Sequence, residues 1–375
     1  MYTLIIARGY PSERSKSYGI FEFDQAQALV KVGCKVVYAA LDVRSVRHWR
    51  KWGIEHFEKN NVTIVALNIP CGRIPLKILY FIAERGLKIL YSYIEKKYGP
   101  PDVMHAHFPD YAYVATKLKN KTGIRLVVTE HSSEIIKPSL VKNLNKIAQQ
   151  IYDNSDAIIA VSPALSEAIE KNYGHIARYI PNMVDIDIFT YMPRHIHDGF
   201  RLVSVGNLIV RKRTDLTIEA FHQAFKNEQN VTLTIFGEGE ERPFLEKLIE
   251  KYNLSQKVFL KGLCSRHEIA KNFQESDCFV LASRAETFGV AYVEAMATGL
   301  PVIATKCGGV DAFIHNGNGV LVPVDNLEDL TDGMKYMYAH AAAFDQRKIS
   351  EEMHQNFSPE TVSRQLIAVY ESLIK

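Results

Sequence analysis

"SRAETFGVAYVEAMATGLPVIAT" (residues 283–305) places two carboxylates, Glu286 and Glu294, in a stretch that otherwise reads as buried core. Charged side chains are seldom buried without a partner. "DCFVLAS" (277–283) and "PVIAT" (301–305) are apolar, β-branched runs of strand length. Between them, "TFGVAYVEAMATG" (287–299) predicts one short helix stopped by Gly299. This is a strand–helix–strand crossover, with Glu286 in the strand-to-helix turn and Glu294 inside the helix. A helix N-terminus presents unpaired amides and suits phosphate. Carboxylates only accept hydrogen bonds, and vicinal hydroxyls are suitable donors. The combination points to a hydroxyl-rich ligand joined to phosphate, such as a sugar on a ribose diphosphate. A helix cap for Glu286 and a structural ion pair for Glu294 are the alternatives, and the chemistry alone leaves them open.

The same alternation extends both ways. Downstream of residue 200, "RLVSVG" (201–206), "VTLTIFG" (231–237), "KVFLKG" (257–262) and "GVLVP" (319–323) complete one strand series. Upstream, "YTLIIA" (2–7), "CKVVYAA" (34–40), "VTIVAL" (62–67), "VMHAH" (103–107), "RLVVTE" (125–130) and "AIIAVS" (157–162) form another, all read as buried parallel strands. Helical stretches lie between, such as "IFEFDQAQALVKVG" closed by Gly33. Two βαβα series argue for two doubly wound α/β domains, joined near "YIPNMVDIDIF" (179–189). The length of 375 residues, 47% hydrophobic and 23% charged, suffices for two cores. The five cysteines are scattered with no C-x-x-C pair, so neither a zinc site nor a disulfide framework is suggested. No signal-peptide pattern or run of membrane-spanning length is seen, and the expected location is the cytoplasm.

In doubly wound folds, ligands bind at the carboxyl ends of strands. "RLVSVG" is followed by "NLIVRKR", which supplies Arg211, Lys212 and Arg213. "IFGEGEE" ends its strand with Gly237-x-Gly239. Each motif alone reads first as a tight surface turn with solvated charges. In "HAH" (105–107), the two histidines are taken to alternate on the strand and point to opposite faces, against a metal pair.

Charge is uneven. Residues 1–100 hold 16 Lys and Arg against 8 Asp and Glu (+8), 101–200 hold 10 against 11 (−1), and 201–375 hold 19 against 23 (−4). The basic excess centres on "RSVRHWRKW" (44–52), read as a helical face, and on the amphipathic "PLKILYFIAERGLKILYSYIEKKYG" (75–99). There, Lys77, Glu84, Lys88 and Glu95 share one stripe. Basic residues beside Trp and Tyr suit an anionic membrane surface, and a helix packed on its own domain is the equal alternative. No nucleic-acid recognition module is visible.

The opening stretch, with its Glu-x7-Glu spacing in an "E-x-F-G-…-E-A-x-A-x-G-x-P-V" frame, resembles glycosyltransferase family 4 (group 1), the retaining enzymes of GT-B fold. "VGNLIVRK" (205–212), "IFGEGEE" (235–241), "FLKG" (259–262), Gly308-Gly309 and "IPNMVDIDIF" (180–189) fall in the family's order, and "YGIFEFDQAQAL" (18–29), "DVMHAHF" (102–108) and "TEHSS" (129–133) match more loosely. The resemblance implies two Rossmann-like domains facing across a cleft. An acceptor-binding domain would span 1–185, with a returning helix at about 358–375, and a donor-binding domain 186–357.

It also implies roles. Glu294 would bind the ribose hydroxyls of the donor. Glu286 would bind the transferred sugar, helped by the backbone of Phe288 and Gly289, with Val290 beside them. Lys212 would neutralise the diphosphate. His131 would meet the donor sugar, Gly19 would let backbone approach the phosphates, and Arg266 would lie where the family contacts the base. Gly206 and Gly237 complete the donor set. Where the family often has arginine after the glycine equivalent to Gly206, this chain has Asn207, and Arg211 or Arg213 is left to compensate. The implied reaction transfers a sugar from a nucleoside-diphosphate sugar, UDP favoured over GDP, to a hydroxyl of a lipid-linked or cell-surface glycan acceptor. No metal, cofactor or protein nucleophile is implied. Peripheral contact with the inner face of the membrane is expected through 44–52 and 75–99. A catalytically silent or non-transferase sugar-nucleotide-binding protein of the same fold is the alternative.

Overall fold

The computed structural model describes residues 1–12, 18–44, 51–71, 74–136, 142–193 and 197–374. The chain divides into two units, Met1–Met183 with Pro359–Lys375, and Val184–Ser358. Each is built on a single sheet.

The first sheet contains β1 (Tyr2–Ala7), β2 (Lys35–Arg44), β3 (Gly53–Lys59), β4 (Val62–Pro70), β5 (Val103–His107), β6 (Arg125–Glu130), β7 (Ala157–Ala160) and β8 (Arg178–Tyr179), in the order β3-β4-β2-β1-β5-β6-β7-β8. Every residue of β1 and β5 is buried. Helices cover both faces of such a sheet, so its strands read as continuous apolar runs without alternation. One strand departs from the expected pattern. β3 pairs antiparallel with β4 at the sheet edge. Asn60 and Asn61 form the connecting turn at φ 49° and 62°. A two-residue hairpin turn needs positive φ at both central positions, which asparagine tolerates.

The second sheet contains β9 (Phe200–Val205), β10 (Val231–Phe236), β11 (Val258–Gly262), β12 (Cys278–Leu281), β13 (Val302–Thr305) and β14 (Gly319–Val322). The order is β11-β10-β9-β12-β13-β14, with every pairing parallel. In each sheet the strand order reverses beside the unit's first strand, at β1 and β5 in one and at β9 and β12 in the other. Loops leave in opposite directions at such a point and open a crevice at the carboxyl ends of the strands.

The core of the first unit joins Ile5, Tyr38 and Ile159 to Val362, Leu366, Val369 and Tyr370 of the Pro359–Ile374 helix. That of the second is centred on Leu202, Leu233, Phe221 and Val280.

Two further expectations are corrected. His105 and His107 share a face, with stacked rings 4.5 Å apart. They are two residues apart on β5, and the side-chain period of a strand is two. The stretch 44–52 is not the expected helical face where it is described, because Arg44 ends β2, and Lys51 and Trp52 lead into β3. Residues 45–50, with Arg47, His48 and Trp49, lie outside the described residues. The 75–99 stretch does form a helix, Leu76–Tyr98, which buries Ala83, Leu87, Leu90, Tyr91 and Ile94. Among the described residues, no helix is long and apolar enough to cross a membrane.

Candidate active site

In the second unit, the loops leaving β9 and β10 are joined backbone to backbone. The amide of Gly206 donates to Phe236 O at 3.0 Å and that of Leu208 to Glu238 O at 2.9 Å. A Cβ on Gly237 would lie 1.9 Å from Gly206 O, and one on Gly239 2.2 Å from Leu208 O. Gly237 has φ +139°. The "GEG" spacing therefore follows from main-chain contact, which only glycine permits.

From this platform a short 3-10 helix, Val210–Lys212, carries Lys212 toward the loop after β12. Lys212 Nζ donates to Glu286 Oε1 at 2.5 Å, and Ser283 Oγ donates to the same oxygen at 2.6 Å. Glu286 is 6% exposed, yet it has both partners that burial demands. The turn that holds it bridges to Gly308. A Cβ on Gly309 would lie 2.5 Å from Glu286 O, so the glycine pair leaves space for that turn.

Helix Val290–Ala297 begins at Gly289, whose φ of 91° makes it a left-handed N-cap with no side-chain cap bond. Its first-turn amides are not consumed by a capping side chain, which leaves a partial positive charge at the end of the helix. Phe288 is buried against Phe313 and Phe357, so its ring belongs to the core and only its backbone is available to the site. Val290 opens the helix. Glu294 lies one turn further on and accepts from Arg266 Nη2 at 3.2 Å. Arg266 starts its own helix, capped by Ser265 and Glu268, and its guanidinium lies 5.6 Å from the Phe189 ring centroid.

The two remaining arginines differ. Arg213 is committed to Asp215, at 3.0 Å from Nε, and to Asp325, which also pairs with Arg284. Arg211 is exposed and donates from Nη1 to Ala285 O at 3.2 Å, next to Glu286. Asn207 is also exposed. Lys212, Glu286, Ser283 and Arg211 thus meet around one turn, while Glu294 pairs with Arg266. Asp325 had no signal in sequence, being more than 100 residues from Arg213.

In the first unit, Gly19 is the N-cap of helix Ile20–Lys31 at φ 73°. A Cβ there would lie 2.4 Å from Gly9 O, and Tyr38 OH donates to both Gly9 O and Gly19 O, at 2.7 and 3.1 Å. Three histidines form a ladder at the strand ends. His105 Nε2 meets Thr129 Oγ1 at 2.7 Å, and its Nδ1 meets Tyr370 OH at 2.6 Å. His107 stacks on His105, and its Nδ1 meets His131 Nε2 at 3.0 Å. His131 keeps some exposure as a residue, but its ring is enclosed, stacking on His107 at 5.3 Å and on Phe108 at 4.6 Å. The Arg8 guanidinium lies 4.1 Å from the centroid of the Phe108 ring and 3.5 Å from Glu22.

Burial holds all three imidazoles below the usual histidine range. For His131 the neighbouring His107 and Arg8 add to it, and for His107, at about 3, Arg8 does. His131 is therefore a neutral ring. A cavity of about 20 Å³, room for one water, is bordered by His107, His131, Gln25, Thr129 and Asn182. Sequence reading found His131 but missed Arg8, Phe108 and Glu130, although "TEH" names the last.

Two family models match. Glycosyltransferase Family 4 covers residues 23–188 and Glycosyl transferases group 1 covers residues 193–356, together most of the chain. An uncharacterized glycosyltransferase, MJ1178 of Methanocaldococcus jannaschii, is 31% identical over 62% of this chain and 64% of its own length. One subunit of human phosphatidylinositol N-acetylglucosaminyltransferase is 26% identical over 70% of this chain. That alignment spans 56% of the human protein, so both matches cover less than two thirds of the relative. Among solved structures, sucrose-phosphate synthase from Thermosynechococcus elongatus superposes with a TM-score of 0.82 at 21% identity, covering 100% of this chain and 99% of that one. Anabaena HepE in complex with UDP gives 0.78 at 18% identity, covering 99% of each. The fold of the two α/β units is GT-B.

Proposed function

The chain belongs to the family 4, group 1 glycosyltransferases, and from that premise we propose that it moves a sugar from a nucleoside-diphosphate sugar to an acceptor hydroxyl, with retention of configuration. The observation that carries the reading is the cluster at the β9/β12 switch point, where Lys212, Glu286 and an uncapped helix N-terminus come together. Charge develops on the departing diphosphate as the glycosidic bond breaks. Preorganised cations and amides stabilise such charge where it forms. Lys212 and the Gly289–Val290 amides take that role, Glu286 accepts from sugar hydroxyls, and Glu294 accepts from the ribose. Binding then requires each carboxylate to exchange its present partner for ligand hydroxyls, Lys212 for Glu286 and Arg266 for Glu294.

Arg211 is assigned as the second cation in place of the arginine absent at Asn207. The Asp215 and Asp325 contacts of Arg213 support that choice. His131, neutral and with Nε2 held by His107, offers Nδ1 to the transferred sugar. No cofactor or metal ion enters the scheme, and the acceptor proton passes to the leaving phosphate. UDP is favoured as the carrier, and UDP is the ligand in the HepE complex.

A lipid-linked acceptor suits the surface of the Leu76–Tyr98 helix. Ile78, Phe81, Ile89 and Tyr93 are 49%, 54%, 57% and 36% exposed and follow a helical spacing, with Arg85 over the Phe81 ring. Exposed apolar residues flanked by lysines and arginines suit an anionic bilayer. The human relative is likewise named for a lipid.

The test is a thermal-shift panel of UDP, GDP, ADP and CMP on wild type and Glu294→Ala. A ligand of the folded state raises stability by RT ln(1 + [L]/Kd). A UDP shift in wild type that Glu294→Ala loses is expected. No shift with any nucleotide, or one that Glu294→Ala retains, refutes the assignment.

A further inference from the structure

Glu130, the last residue of β6, is 1% exposed and spends its carboxylate on main chain. Its Oε1 accepts from the amides of His131 at 2.9 Å and Ser132 at 2.8 Å, and its Oε2 accepts from Tyr152 OH at 3.0 Å. Among the described residues, no hydrogen bond joins the Glu130 carboxylate to the His131 ring, whose nitrogen meets His107. The carboxylate therefore acts on where the ring is carried. One oxygen that binds two successive amides fixes the backbone at the strand exit, and with it the direction of the His131 side chain.

We propose that Glu130 is a positioning residue for His131, and that a proton on its carboxyl loosens the clamp and so lowers turnover. This role of Glu130 rests on His131 serving the transferred sugar, as proposed above. Hydrogen bonds to an ionised acceptor are about twice as strong as neutral ones, so protonation weakens both amide contacts together. The surroundings of the carboxyl act on that proton in both directions, with burial and Asp110 favouring it and the three hydrogen bonds, that of Tyr152 among them, opposing it. Burial is the main cause and pushes the carboxyl up to about 7, against the three hydrogen bonds that lower it. Tyr152 faces it from helix Lys142–Asp153, Tyr173 from helix Pro163–Tyr173 and Asp110 from the first turn of helix Pro109–Thr122. The His131 ring is held far below neutrality by burial, so it stays neutral while Glu130 titrates. A rate that falls on the acid side of 7 then reports Glu130 and not His131.

The experiment has two arms, on wild type, Glu130→Gln and Glu130→Ala. In the first, histidine labelled with 15N reports the His131 amide from pH 5.5 to 8.5, assigned by its loss in His131→Asn. Wild type should titrate with a midpoint near 7, and Glu130→Gln, which keeps an oxygen for both amides but cannot ionise, should not move. In the second, UDP release from UDP-glucose is followed over the same range. Wild-type kcat should fall on the acid side and that of Glu130→Gln should be flat. Glu130→Ala should lose about tenfold to a hundredfold in kcat, the size expected of a misplaced group, with little change in KM. A His131 amide that does not titrate, or a Glu130→Gln profile that keeps the acid limb, overturns the proposal. If wild type does not turn over UDP-glucose, the proposed donor fails, and the amide titration still decides the clamp.

Discussion

Acid should destabilise the first unit through the imidazoles it keeps neutral. His105 and His131 lie well below the usual histidine range and His107 at about 3, mainly through burial. In the unfolded chain each takes up a proton near pH 6.5. Because the folded values are depressed, the stability these rings hold is complete above 6.5 and is lost as the pH falls. His107, at about 3 in the fold, accounts for a loss of about 1 kcal/mol between pH 7.5 and 5.5, and His105 and His131 act in the same direction. Glu130 works in the opposite direction. Its folded value is raised to about 7, so its contribution is complete below the unfolded value and is lost as the pH rises through 7.

A single pH curve mixes these effects, and a variant separates them. In His107→Phe the ring stack can persist, while one of the three protonation sites is gone. Trp52 leads into β3 of the first unit, so its indole fluorescence during urea unfolding follows that unit. From pH 7.5 to 5.5, wild type should lose about 1 kcal/mol more than His107→Phe. Equal losses in the two proteins would mean that His107 is not neutral in the fold, and the electrostatic account of the ladder would fail.

Gly237→Ala would drive a Cβ to 1.9 Å from Gly206 O at a φ of 139°. It should cost about 2 kcal/mol or more and reduce the UDP thermal shift, as read by melting with and without nucleotide. Replacing Phe81 and Ile89 together by serine removes two exposed apolar anchors. Co-sedimentation with phosphatidylglycerol vesicles should weaken by about tenfold or more, and unchanged binding would exclude this face as the contact.

The crossover pattern was legible because its signals are local. Apolar runs of strand length, glycines after helices and the Glu286–Glu294 spacing all lie within a few residues of what they specify. The hairpin of β3 and β4 has a local signal too, Asn60-Asn61 before "VTIVAL", which a parallel reading of the whole half does not use. The shared face of His105 and His107 follows from counting the strand period. Other features had no such signal. Lys212 meets Glu286 74 positions away, and Tyr370 meets His105 265 positions away, through chain reversals that no short stretch encodes. The choice between Arg211 and Arg213 depended on Asp325, which only tertiary structure brings to Arg213.

The membership of Pro359–Lys375 in the first unit has a consequence for synthesis. Domains generally fold as units as the chain emerges from the ribosome, the N-terminal one first. Here the segment Val184–Ser358 is continuous and can close its own core while the earlier domain still lacks Val362, Leu366, Val369 and Tyr370. The domain that is translated first is thus finished last, and until then it exposes an apolar seam to chaperones and proteases. A premature stop codon that removed only the final helix would leave the second unit's residues untouched. It would damage the first unit, and through Tyr370 it would reach the histidine ladder.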